Sequence, residues 1–240
     1  MLKEHLLSNR QMAMLTGPRQ VGKTTTSRVS AGEHRYFTWD RQTDKRLILK
    51  GADAVIEELQ LATLRERPQH VVFDELHKYR KWRSFLKGFF DVAADRSRLI
   101  VTGSARLGFF RRGGDSLMGR YFLYRMHPLS VGELVRTEVR EAEISLPLAP
   151  PQDALLQLLR FGGFPEPFLK GTDRFYNRWR RLRTELLFRE DLRDLALVQD
   201  VGQVQIMAEI LGAQVGQQVN YSSLAADVNV SVDTARRWLT

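Results

Sequence analysis

The chain has 240 residues, 43% of them hydrophobic, enough for one ordinary α/β domain with a substantial core and a smaller appendage. It contains no cysteine, which excludes disulfides, zinc–thiolate sites and a cysteine nucleophile and fits a reducing cytosol. A formal net charge of +9 favours phosphate-rich partners without identifying one.

No apolar run approaches the ~18–20 residues that span a bilayer, and no signal-peptide core follows Met1. A cytoplasmic protein with no membrane partner is expected. Along the first two-thirds, short apolar runs alternate with longer amphipathic ones, the pattern of a parallel sheet with crossover helices. Met12–Thr16 reads as a buried strand, followed by a Gly-rich turn and a helix opening at Lys23. Arg35–Trp39 is a second strand. Ala54–Arg67 has helical spacing, with Ile56, Leu59 and Leu64 on one stripe, and Pro68 stops it. Val71–Phe73 is a continuous apolar run ending on Asp74 and Glu75. Trp82–Ala94 is a helix with Trp82, Phe85, Leu86, Phe89 and Phe90 on one face. Leu99–Val101 leads into Thr102-Gly103-Ser104, and Tyr121–Met126 is the fifth strand candidate. Prolines cluster over Leu146–Pro151, a plausible boundary. Beyond it the chain reads as helical, with an Arg-rich helix over Asp173–Leu197 and three short helices in the last forty residues.

Gly17-Pro18-Arg19-Gln20-Val21-Gly22-Lys23-Thr24 has the full spacing of a phosphate-binding loop, between a strand and a helix as its mechanism requires. Small residues let successive N–H groups converge on phosphate oxygens, and the helix that follows presents its positive end to the same anion. Lys23 is placed to reach the β- and γ-phosphates, and the Thr24 hydroxyl to bind Mg²⁺. Thr25 continues the site. Asp74, at the end of a buried strand, is the second candidate for Mg²⁺. Glu75 is the candidate to polarise an attacking water. Thr102 and Ser104 end the next strand and could hydrogen-bond that water or the γ-phosphate. Of Arg106, Arg111, Arg112, Arg120 and Arg125, Arg120 is the candidate to act on a phosphate bound in a neighbouring copy, which implies a homo-oligomer with shared active sites.

The Asp-Glu pair points to ATP hydrolysis rather than small-molecule phosphorylation, and no Asn-Lys-x-Asp motif supports a GTPase. The five histidines are scattered, with no His-Glu-x-x-His, which disfavours a metal hydrolase or nuclease. Two readings remain: an ATPase that binds ATP and ADP and turns over with Mg²⁺, or a nucleotide-gated switch or DNA-binding regulatory module with little turnover.

Further motifs carry a resemblance. Val72-Phe73-Asp74-Glu75-Leu76-His77, Val101-Thr102-Gly103-Ser104-Ala105-Arg106, Ser116–Phe122, Pro128-Leu129-Ser130 with Glu133-Leu134, and Gly162-Gly163-Phe164-Pro165-Glu166 stand in order after the phosphate loop. With them the chain resembles prokaryotic ATPases of the AAA superfamily that carry a C-terminal domain of unknown function. The resemblance implies a P-loop NTPase with an AAA-type five-stranded parallel sheet over residues 1–146. It implies a helical lid over 147–200 and a partial winged-helix module over 201–240. By the same resemblance Gly163 and Pro165 would lie near adenine, although a plain Gly-Pro turn between helices accounts for them equally well. Such relatives continue into a nuclease-like domain, so the chain is expected to be either the product of a truncated gene or a piece of a longer protein.

Tyr221–Val228 and Ser231–Leu239 have helix-turn-helix form, with Ser222 and Ser231 as N-caps, Asn229 in the turn and Leu224, Ala225, Val230, Ala235, Trp238 and Leu239 as core. Thr234, Arg236 and Arg237 could meet DNA, or the module could serve as a structural sensor. The Arg174–Arg193 stretch reads as a solvated, salt-bridged helix, its charge offset by Glu185, Glu190, Asp191 and Asp194.

Overall fold

The computed structural model describes residues 1–61, 63, 67–103, 117–136, 149, 151–188 and 201–239. They form two compact units, Met1–Lys170 and Gly171–Thr240.

The first unit is built on a five-stranded sheet in the order β2-β3-β4-β1-β5, with every pairing parallel. The strands are β1 (Met12–Thr16), β2 (Arg35–Thr38), β3 (Gln69–Asp74), β4 (Ser97–Gly103) and β5 (Tyr121–Arg125). The helices of this unit are α1 (Leu2–Ser8), α2 (Lys23–Ala31), α3 (Gln42–Leu49), α4 (Ala52–Glu58), α5 (Trp82–Ala93), α6 (Val131–Val135), α7 (Gln152–Phe161) and α8 (Pro165–Lys170).

Strand alternation divides the core between the two faces of the sheet. Met12, Met14, Val71, Phe73, Leu99 and Val101 join the large cluster that α4 and α5 supply with Val55, Phe85, Leu86 and Phe89. The intervening Ala13, Val72 and Ile100 face the opposite way and pack with Leu6 of α1 and Ala31 of α2. Phe73 is fully buried, with Phe85 and Phe89 edge-on to it at 5.4 Å and Phe37 stacked at 5.5 Å. Asp74 follows this ring directly, at the end of β3.

Two helices depart from the sequence pattern. The helix expected over Ala54–Arg67 ends at Glu58, and Leu64 lies outside the described residues. Gln60 takes a left-handed φ of 52°, and the Leu61 N–H folds back onto Ile56 O at 3.1 Å. This turn buries Leu59 and Leu61 together, both at 1% exposure, which a continued helix would not do. α1 gives little periodicity to read, yet it is anchored by His5, which is only 2% exposed. Its Nε2–H donates to Gln11 O at 2.8 Å, and the Tyr124 hydroxyl donates to Nδ1 at 2.9 Å. Burial is the main cause holding its pKa below the ordinary value of 6.5.

In the second unit, α9 (Asp173–Leu186), α10 (Val201–Ala213), α11 (Tyr221–Asp227) and α12 (Val232–Leu239) are all helices, and no strand occurs among its described residues. Met207, Leu224 and Val228 form a small core with Ile210, Leu211, Val230 and Trp238 packed against it. The α11 cap is Asn220, not Ser222. Its side chain accepts from the Ser222 and Ser223 N–H groups at 3.0 and 3.1 Å. An Asx side chain one residue ahead of Tyr221 reaches those two N–H groups, so Ser222 falls inside the helix. Ser231 does cap α12, accepting from Thr234 N–H at 3.1 Å, and Asn229 turns the chain with φ 55°. Leu239 stays 36% exposed, outside the core expected for it. On α9, Arg180 lies over Tyr176 and Arg183 over Trp179, at 6.0 and 5.5 Å from the ring centres. Glu190, Asp191 and Asp194 lie outside the described residues.

Replacing His5 by alanine empties a buried site and leaves a half-buried hydroxyl and a half-buried carbonyl without their partner. A loss of about 2–3 kcal/mol is expected. Thermal unfolding should show it as a Tm lower by several degrees, and a fall of less than about 1 °C would contradict the anchoring role.

Candidate nucleotide site

Parallel order brings the C-terminal ends of β1, β3 and β4 to one edge of the sheet, where the polar strand ends meet. The loop after β1 turns back on itself through three positive φ values: Gly17 at 155°, Gln20 at 64° and Gly22 at 101°. Gly17 is required by contact as well as by φ, because a Cβ there would sit 2.2 Å from Met126 O. Gly22 caps α2, whose first residues are Lys23 and Thr24. Lys23 is 6% exposed, and its ammonium donates to Gly17 O at 3.0 Å and Pro18 O at 2.8 Å. A lysine curled over its own loop in this way lies where converging backbone N–H groups receive an anion.

Asp74 is the hub of the site. It is 6% exposed and accepts hydroxyl hydrogen bonds from three elements. Thr24 of α2 donates at 3.0 Å to Oδ2, Tyr36 of β2 at 2.5 Å to the same oxygen, and Thr102 of β4 to Oδ1. Burial, and then the Asp74 hydrogen bond, push the Tyr36 phenol well above its ordinary range. The same Thr102 hydroxyl accepts from the Glu75 N–H at 3.4 Å, so it links the two acids.

Glu75 holds a left-handed φ of 55°, rare for a residue with a side chain and a sign of a backbone held by its surroundings. Its carboxylate lies 3.5 Å from Lys78 Nζ and 3.9 Å from His77 Nε2. Burial is the main cause raising its pKa; the Lys78 charge works against that rise, Asp74 adds to it, and Lys23 opposes it. Burial also opposes the Lys78 charge, but the Asp40 hydrogen bond and the Glu75 carboxylate outweigh it and hold the lysine above its ordinary value.

A cavity of about 880 Å³ opens between these groups, lined by the loop from Arg19 to Thr26 and by Asp40, Asp74, Glu75 and Lys78. Its other lining residues are the apolar Met126, Leu129, Pro165 and Leu169, with Glu166 among them. Pro165 opens α8, as suits a residue with no N–H to satisfy. Gly163 is set behind this wall. A Cβ on it would meet Leu129 O at 2.2 Å, and the Leu129 N–H donates to Gly163 O at 2.6 Å. Gly163 thus lets Leu129 reach the cavity.

Of the expected site residues, the structure brings together the phosphate loop, Thr25, Asp74, Glu75, Thr102 and Pro165. Ser104, Arg106, Arg111 and Arg112 lie outside the described residues. Arg120 lies elsewhere: its carbonyl accepts from Met12 N–H at the start of β1, the edge of the sheet opposite the phosphate loop. Its guanidinium donates to Asp91 at 2.7 and 3.3 Å. Tyr36, Asp40, Lys78 and the wall residues Met126, Leu129 and Leu169 were not singled out as site residues in the sequence. The Asp-Glu-x-x-Lys spacing is the one signal that could have found Lys78.

The donor set fits a magnesium nucleotide. Among the described residues no group of three or more His, Cys, Asp or Glu could hold a metal ion. Mg²⁺ does not need such a cage, since it takes one or two protein oxygens and fills the rest with phosphate and water. Thr24 and Asp74 are such a pair, beside a loop shaped for phosphate.

A parallel sheet of this order, with a phosphate loop at the end of β1 and an acid at the end of β3, defines a P-loop NTPase. Residues 9–135 match the family model described as "AAA domain", and the chain belongs to that family as an ATP-binding AAA-type protein. Residues 152–240 match a domain of unknown function (DUF8612). An uncharacterised protein of Methanocaldococcus jannaschii is 21% identical over 220 residues, covering 90% of this chain and 49% of its own length. One of Mycobacterium tuberculosis is 24% identical over 236 residues, covering 95% and 46%. The chain spans about half the length of the curated relatives it matches. Solved structures with a similar chain course include the Aeropyrum pernix ORC1 protein in complex with DNA, at TM-score 0.48 and 14% identity over 99% of this chain and 79% of that one. AMPPCP-bound DnaA from Aquifex aeolicus gives 0.44 and 13%, over 99% and 85%. Among the described residues no helix is long and apolar enough to cross a membrane.

A carboxyl group whose pKa is raised by the fold favours the folded state below its unfolded value and loses that favour as pH rises through its folded value. Ionised Glu75 therefore costs stability at neutral pH. Glu75→Gln should raise Tm at about pH 8, and the gain should shrink as pH falls toward 4.5, the ordinary value for glutamate. A Tm below the wild type at about pH 8 would contradict this.

Proposed function

We propose that the chain is a Mg²⁺-dependent ATPase in which hydrolysis drives a conformational change. The observation that carries this reading is the run of contacts Thr24–Asp74–Thr102–Glu75, which ties a metal-competent hydroxyl and carboxylate to a second, differently placed acid. Lys23 and the N–H groups of residues 19–25 bind the phosphates. Thr24 and Asp74 hold Mg²⁺, which when bound offsets charge developing on the β- and γ-phosphate oxygens. Glu75 takes a proton from water at its carboxylate, and a pKa raised by burial makes it a stronger base than an exposed glutamate. Met126, Leu129, Pro165 and Leu169 offer a surface for the adenine ring. Thr102 orients both acids; Ser104 is kept as a candidate contact to water or phosphate.

Arg120 faces away from its own phosphate loop, so any action on a phosphate belongs to a neighbouring copy in a homo-oligomer. The alternative of a nucleotide-gated DNA-binding switch rests on the helix-turn-helix form of α11 and α12. There Arg236 lies over Tyr221 at 5.4 Å and Arg237 donates to Thr234 at 3.1 Å, and both arginines stay exposed.

Two substitutions separate binding from turnover. Lys23→Ala should abolish ATP binding measured by calorimetry. Glu75→Gln should bind ATP as the wild type does while kcat falls about 10²- to 10⁴-fold. Wild-type turnover in Glu75→Gln would remove the base from this scheme.

A further inference from the structure

We infer that Lys78 is a positioning residue for hydrolysis, pinned by Asp40 so that it holds the Glu75 carboxylate inside the nucleotide cavity. The inference rests on the ATPase reading and names a part of its machinery that the phosphate loop and the Asp-Glu pair do not contain.

The chain geometry comes first. Leu76–Lys78 form a single 3₁₀ turn directly after Glu75, with the Lys78 N–H donating to Glu75 O at 3.1 Å. Glu75 stands just ahead of this turn with its left-handed φ of 55°, and the turn brings Lys78 back beside it. Leu76, at 0% exposure, locks the turn into the core. The side chains meet accordingly, with Lys78 Nζ 3.5 Å from Glu75 Oε2.

Asp40 supplies the second constraint. It stands two residues beyond Thr38, which pairs with Asp74 across the β2–β3 ladder. Both its oxygens accept from Lys78 Nζ, at 2.6 and 2.9 Å. Asp40, Glu75 and Lys78 all line the cavity of the phosphate loop. Lys78 is therefore a bridge: an ammonium with its place fixed by one carboxylate and used to orient another. A surface ion pair has small worth for stability. This one constrains a carboxylate whose placement decides reactivity, and misplacement by about 1 Å can cost about 10²-fold in rate.

The arrangement differs from a latch that keeps Glu75 away from the reaction. A latch, once removed, would speed turnover. A positioning bridge, once removed, slows turnover and leaves nucleotide affinity unchanged.

The test is steady-state ATPase kinetics of the full chain, with nucleotide affinity measured separately by calorimetry. Lys78→Met keeps the length of the side chain and removes the charge. It should lower kcat about 10- to 100-fold, with KM and ATP affinity within about threefold of wild type. Lys78→Arg should recover most of the lost kcat, and Asp40→Asn should fall between wild type and Lys78→Met. Retained ATP affinity in Lys78→Met shows that the fold is intact. If its affinity is lost, Lys78→Arg and Asp40→Asn decide: a kcat unmoved in Asp40→Asn overturns the inference. Unchanged or raised kcat in Lys78→Met overturns it too, while the wild type still turns over and Glu75→Gln does not. A wild type that binds ATP but turns over no faster than Glu75→Gln overturns the ATPase reading itself, and this inference with it.

Discussion

Everything at the site depends on one buried carboxylate. Asp74 is only 6% exposed at the lining of the cavity, and burying a charge without compensation is costly. Its compensation comes from hydroxyls: Thr24, Tyr36 and Thr102, one each from α2, β2 and β4. No single segment could provide that. The three donors converge only because β2 and β4 flank β3 in the sheet and α2 descends from the loop after β1. Asp74 is therefore a product of the topology, and the topology is tied together at Asp74. Thr102 extends the arrangement by accepting from the backbone of Glu75, so the two acidic residues share one hydroxyl.

The apolar part of the cavity lining follows from backbone packing. The Met126 N–H donates to Thr16 O at 2.7 Å, and Met126 O passes so close to Gly17 that no side chain fits there. Leu129 is tied to Gly163 in the same manner. Two glycines far apart in sequence thus position the apolar side of one cavity. Gly17 serves the phosphate loop and the wall together.

Much of this was legible in the sequence where local pattern and chemistry agree. The five strands, the phosphate loop, Asp74 and Glu75 announce themselves through apolar runs that end on defined residue types. The parallel sense of the strands followed from the same alternation; their order in the sheet did not. The rest required three dimensions. Tyr36 sits in a four-residue strand and gives no sign of pointing to an acid 38 residues away. Asp40 and Lys78 read as surface charges until β2 and β3 are set side by side. α4 ends early because Gln60 turns left-handed to bury Leu59 and Leu61, a tertiary gain that helical periodicity does not register. Asn220 captured the cap expected of Ser222 because a cap is defined by reach rather than by hydroxyl content.

The most direct test of the account is calorimetric titration of ATP, with and without Mg²⁺, into the wild type and Asp74→Asn. If Asp74 and Thr24 form the metal-holding half of a nucleotide site, Mg²⁺ should tighten ATP binding to the wild type. In Asp74→Asn that tightening should fall by about 10- to 100-fold, while binding without Mg²⁺ stays within about threefold. The same response to Mg²⁺ in both proteins would contradict the account.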